Sequence, residues 1–202
     1  MITELQKIFG TTCMGLKVNA ETGSAPVYTK QARFCEMVGE AFQTTFCVSP
    51  HQVKCAGARR SMGLLKHDPE LIDHVHEESG IKKATIEKAI NDIPRLKSPP
   101  ENILMGITES MEKTIQPDMY IVFTTPLKVM QLMKMYALKL DAFPVIKPYT
   151  FMSVCANVFV NTCLNHVISI SFGCPESRKY GFLKEDHAVV GIPYDTCLKL
   201  FG

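Results

Sequence analysis

A chain of 202 residues with 46% hydrophobic and 21% charged side chains is long enough to bury a sizeable apolar interior as one domain. Its 22 basic and 20 acidic residues leave a net charge of +2, which argues against nucleic acid or an anionic membrane surface as a partner held by bulk charge. No apolar run approaches the roughly 18 residues of a membrane span, and Met1-Ile2-Thr3-Glu4 has no basic stretch leading into an apolar one, so a cytoplasmic protein without membrane insertion is expected.

In chain order, Thr3 to Phe9 predicts a short helix closed by Gly10, and Cys13 to Val18 a strand. A loop through Pro26 leads to a helix over Ala32 to Phe42, with Phe34, Val38, Ala41 and Phe42 on one side and Cys35 near its start. Thr44 to Val48 is a β-branched and aromatic strand ended by Ser49-Pro50. Small residues then dominate Cys55-Ala56-Gly57-Ala58, before the pair Arg59-Arg60.

Asp68-Pro69 predicts the cap and first turn of a helix through about His76. Its His74 and His76 are two residues apart and face different sides, so they read as a solvated helix end rather than a metal site. Lys83 to Ile93 is a second amphipathic helix stopped by Pro94, and residues 95–102 read as an internal hinge or crossover.

The second half predicts strands over Ile103 to Thr108 and Met119 to Thr124, then a helix from Thr125-Pro126 to Leu140, mostly buried against a sheet. Val145-Ile146 reads as a short strand, Phe151 to Val160 as a helix, His166 to Phe172 and Ala188 to Ile192 as strands, and Tyr194 to Phe201 as a closing helix. Alternating strands and helices predict a single-domain α/β fold over residues 1–202, its mixed β-sheet flanked by helices.

Eight cysteines in a reducing compartment read as metal ligands, redox groups or buried apolar residues, not as a disulfide framework. Local context favours Cys174, at a strand end before Pro175, Cys55, before its small residues, and Cys35, at a helix start. Cys13, Cys47, Cys163 and Cys197 sit in or beside apolar segments and read as inert. Arg33, Arg59, Arg60, Arg178 and Lys179 are the cations near the favoured cysteines, and Arg178-Lys179 at a strand-to-helix junction also suits a small anion. A Cys174 nucleophile paired with His166 or His187 is a further reading, whereas no P-loop, G-x-G-x-x-G or H-E-x-x-H is present.

The order of Arg33-Phe34-Cys35, Cys55-Ala56-Gly57-Ala58 leading to Met62-Gly63-Leu64, Ile93-Pro94-Arg95-Leu96, Gly173-Cys174-Pro175-Glu176-Ser177-Arg178-Lys179-Tyr180 and Val189-Val190-Gly191-Ile192-Pro193 resembles an uncharacterised archaeal and bacterial family, domain of unknown function 169. That resemblance implies cysteines at Cys35, Cys55, Cys155 and Cys174 as one set, and so adds Cys155. Four thiolates suit an iron–sulfur cluster, 4Fe–4S foremost, with zinc as the alternative. The expectation is an electron-transfer or accessory redox subunit of anaerobic metabolism, working with a redox partner protein or a larger enzyme complex, with Arg59, Arg178 and Lys179 around the metal. The alternatives are an anion-binding module with a zinc or metal-free cysteine core, and a thiol enzyme using Cys174. Two departures from the family pattern stand out: Thr12-Cys13-Met14-Gly15-Leu16-Lys17 in the early strand, and Glu176, whose carboxylate opposes thiolate charge.

Overall fold

The apolar runs pair into one six-stranded sheet in the computed structural model, which describes residues 2–21, 23, 25–66, 69–111, 115–144, 146–147 and 149–202. The first half of the chain forms α1 (Ile2–Phe9), β1 (Met14–Val18), α2 (Phe34–Ala41), β2 (Phe46–Val48), α3 (Ala56–Ser61), α4 (Pro69–Ser79) and α5 (Lys83–Asp92). The second half forms β3 (Ile103–Ile107), α6 (Thr108–Met111), β4 (Met119–Thr124), α7 (Pro126–Leu140), a π-helix (Ser153–Val160), α8 (Asn161–Asn165), β5 (Ser169–Ser171), α9 (Pro175–Tyr180), β6 (Ala188–Pro193) and α10 (Tyr194–Phe201).

The strand order is β2-β3-β1-β4-β6-β5, and every adjacent pair is antiparallel. Among the described residues, parallel pairing, the other half of the expected mixed sheet, is confined to two isolated bridges, Val27 with Cys47 and Ala32 with Val53. The physical reason is insertion. β3 and β4 run in the same direction, as a strand–helix–strand unit predicts, but β1 lies between them and takes the hydrogen bonds of both.

Side chains alternate across the sheet with the strand period of two. In β4, Met119 and Ile121 join the core beneath α2 and the π-helix, while Tyr120 and Val122 face Leu5, Phe9, Leu132 and Leu200 of α1, α7 and α10. On the first face Phe34 of α2 stacks on Phe159 of the π-helix at 5.0 Å between ring centroids, a contact worth about 1 kcal/mol beyond its buried area.

The helix α7 corrects an expectation. It is not mostly buried: Leu132 lies fully inside, but Leu127, Met130 and Leu138 are 58%, 59% and 77% exposed. Three helices share this sheet face, so each buries one stripe, and these three residues point away from Leu132. The reading of Asp68 as a helix cap falls outside the described residues, as does Val145 of the expected short strand; Ile146 is in no strand. In the segment 95–102, the Leu96 amide donates to the Ser61 carbonyl at 2.8 Å and the Asn102 side-chain amide to the Ala20 carbonyl at 3.0 Å. Among the described residues no helix is long and apolar enough to cross a membrane.

Candidate functional site

Four elements deliver Cys35, Cys55, Cys155 and Cys174 to the wall of one cavity of about 430 Å³. Each stands at or near the start of a helical segment. Cys35 is in the first turn of α2, Cys55 and Cys174 are the residues that cap α3 and α9, and Cys155 is the third residue of the π-helix. Helix starts leave backbone N–H groups without carbonyl partners, and a sulfur placed there meets donors.

The local sequence explains each placement. Gly173 adopts φ +90°, and a Cβ there would come within 2.6 Å of the Leu183 side chain, so the turn out of β5 requires glycine. Pro175 then fixes the first residue of α9, while the Ser177 hydroxyl accepts from the Cys174 amide at 2.8 Å and donates to the Cys174 carbonyl at 2.9 Å. At α2 the Arg33 amide donates to the Glu36 carboxylate at 3.3 Å. At Cys155 the backbone is wide: Met152 has φ +51°, and its carbonyl accepts from both Ala156 and Asn157, so the turn widens to i→i+5.

All eight cysteines are free thiols. Burial pushes the Cys35, Cys55 and Cys155 thiols up. Charge on the neighbouring sulfurs adds to this: Cys55 and Cys174 act on both Cys35 and Cys155. Working the other way, backbone amides of Phe34 and Ala58 donate to the Cys55 sulfur, the Glu36 amide donates to Cys35, and the Ser61 hydroxyl stands beside Cys155. Burial thus favours the protonated form of Cys35, Cys55 and Cys155, with donors already placed to hold these sulfurs once ionised. Among the described residues no group of three or more His, Cys, Asp or Glu side chains is arranged to hold a metal ion, so the sulfurs border a space and do not converge on a point.

Of the cations expected around the thiols, Arg59, Arg178 and Lys179 do not line the cavity. Arg59 is exposed; the Arg178 guanidinium donates to the Lys184 and Phe172 carbonyls, each at 2.5 Å, and the Lys179 ammonium lies 5.1 Å from the Tyr180 ring centroid. Among the described residues, Arg33 and Lys54 are the Arg and Lys side chains that line the cavity, and Arg33 is the one paired with Glu176. Its Nε donates to the Glu176 carboxylate at 3.0 Å, and its guanidinium lies 4.1 Å from the Tyr180 ring centroid. Glu176 thus has a partner, although its charge still raises Cys35 and Cys55.

The wall without sulfur comes from α4. Glu70, His74 and Glu78, spaced i, i+4, i+8, face the cavity, and His74 Nε2 lies 3.6 Å from Glu78 and 3.8 Å from Glu176. That spacing was readable; comparing His74 with His76 hid it. His166 and His187 do not line the cavity, and His187 Nδ1 is 2.7 Å from Asp186, so neither stands beside Cys174 as a base.

An antiparallel sheet with layered helices, and a cavity rimmed by four thiols from distant segments, define a cysteine-site α/β protein. The chain belongs to the family described as uncharacterised ArCR, domain of unknown function 169, whose model matches residues 11–201. No curated protein and no solved structure matches it.

Proposed function

We propose that the chain is a cytoplasmic iron–sulfur protein in which Cys35, Cys55, Cys155 and Cys174 hold one 4Fe–4S cluster. The observation that carries the reading is that four thiols from four separate helix starts border one cavity. The donor set fits: four soft ligands match a cubane, and amide donors already reach two of the sulfurs. A single zinc ion needs its sulfurs within about 2.3 Å of one point, whereas these line the walls of a space.

When bound, a cluster supplies one-electron transfer. The chain's own part is to give up the thiol protons, shield the sulfurs and set their charge. Burial disfavours ionisation of Cys35 and Cys155, so loading must release protons, and affinity falls as the solution becomes more acidic. Arg33 offsets the Glu176 carboxylate beside the sulfurs, and α4 leaves the mouth of the cavity polar. A redox partner protein or a larger enzyme complex of anaerobic metabolism would exchange the electrons.

The test is purification under anaerobic conditions, with a visible spectrum and iron and acid-labile sulfide assays. The expected result is a brown protein with near-equal iron and sulfide. A folded, colourless protein that takes up neither after reconstitution ends the proposal.

A further inference from the structure

A second cavity, of about 710 Å³, opens on the other side of the segment that carries Cys155. Its size is that of a pocket for a metabolite. The π-helix and α8 send three amides toward it at i, i+4 and i+8: Asn157, Asn161 and Asn165. Asn157 is more than nine-tenths buried in the otherwise apolar run Val154 to Val160, a placement that costs free energy unless the amide is used. The amides are held in fixed orientation. Asn157 donates to the Phe151 carbonyl at 3.2 Å, Asn165 to the Asn161 oxygen at 2.6 Å, and Asn161 to the Ser169 hydroxyl at 2.9 Å.

Charge on the rim is unbalanced in the same direction. Arg95 and Lys147 line the cavity, and among the described residues neither has a carboxylate within salt-bridge distance. Arg95 spends one donor on the Lys66 carbonyl at 2.9 Å and has others left. The Arg95 charge also reaches Arg60, whose Nη2 donates to the Ile90 carbonyl at 2.9 Å and whose Nη1 is buried without a partner. With Arg95 and Lys147 against Asp92, the charged side chains lining the cavity leave a net positive charge. Tyr136 and Tyr149 supply ring faces, and Asp92 gives one acceptor for a ligand hydroxyl or amine.

We infer that this cavity binds an anionic ring compound of metabolite size, its acidic group on Arg95 and Lys147 and its ring edge along Asn157, Asn161 and Asn165. The inference does not depend on what the thiols hold.

Fluorescence titration of the full chain with 4-methylumbelliferyl phosphate and, separately, coumarin-3-carboxylate tests it, and the probe that saturates separates phosphate from carboxylate ligands. The expected result is one saturable site for one of the probes, weakened at least about tenfold in R95Q/K147Q, the loss expected for charge-assisted contacts. Uncharged 4-methylumbelliferone is expected to bind no better than that variant binds the anion. If the double variant does not fold by circular dichroism, K147Q, on an exposed side chain, carries the comparison. Failure of both probes to saturate, or an unchanged Kd in the variant, overturns the inference.

Discussion

Glu176 places a carboxylate among thiols and then neutralises part of its effect by pairing with Arg33. Its charge holds Cys35 and Cys55 up, after burial as the main cause. Glu176→Gln removes that charge and leaves Arg33 unpaired, so both thiols become more acidic. The expected outcome is faster alkylation of the metal-free protein at a given pH, read by mass spectrometry of labelled peptides; an unchanged rate would show that the carboxylate does not act on them. Replacing Cys35, Cys55, Cys155 or Cys174 singly by serine is expected to lower iron content at least about tenfold, the loss typical of changes around metal ligands. Cys47→Ser should leave it intact, because Cys47 lies on β2 outside the cavity wall. In the sequence, Cys35 stood out by its helix start, Cys55 and Cys174 by their neighbours, and Cys155 only by resemblance. Their shared cavity was not legible, since residues 35 and 155 are brought together by the tertiary packing of α2 on the π-helix. Arg178 follows Cys174 by one helical turn, and its guanidinium donates to loop carbonyls and does not line the cavity.

Among elements, the seam between α2 and α9 sets how far Cys35 stands from Cys174. A Cβ on Gly181 would come within 2.9 Å of the Cys35 carbonyl oxygen and 3.2 Å of the Cys35 Cβ. Gly181→Ala is therefore expected to destabilise the fold by about 1–3 kcal/mol, as overpacking does, and to lower iron retention as the seam widens. Chemical denaturation paired with iron analysis checks both. Element identity was well marked by local pattern, and β4 and α10 match their predicted spans. Strand direction was not, because the run Met119 to Thr124 carries no mark of the neighbour it will pair with. The burial of α7 was misjudged because an apolar count says nothing of how many helices compete for one sheet face.

For the whole molecule, buried thiols link stability to alkaline pH. Burial, aided by Glu109, pushes Cys13 up to about 12 from an ordinary 9.0, and burial with Asp118 does the same for Cys163. The folded chain keeps protons that the unfolded chain releases above pH 9, so this stability is full below pH 9 and is lost as pH rises toward 12. Each such thiol removes about 1.4 kcal/mol per pH unit in that window. Thermal melts of the metal-free protein at pH 8, 9 and 10 should show a Tm that falls between 9 and 10, with a shallower fall in Cys13→Ala.

The sheet order has one more consequence, for the timing of synthesis. β6 is the last strand made, yet it lies between β4 and β5, and β5 touches the sheet through it alone among the strands. Until β6 is in place, β5 has no strand to dock on, and the turn that presents Cys174 is held by its contacts with α2 and the π-helix. The sheet beside the cavity is thus completed only when residues 188–193 have left the ribosome, and whatever fills the cavity arrives after β6 has joined the sheet.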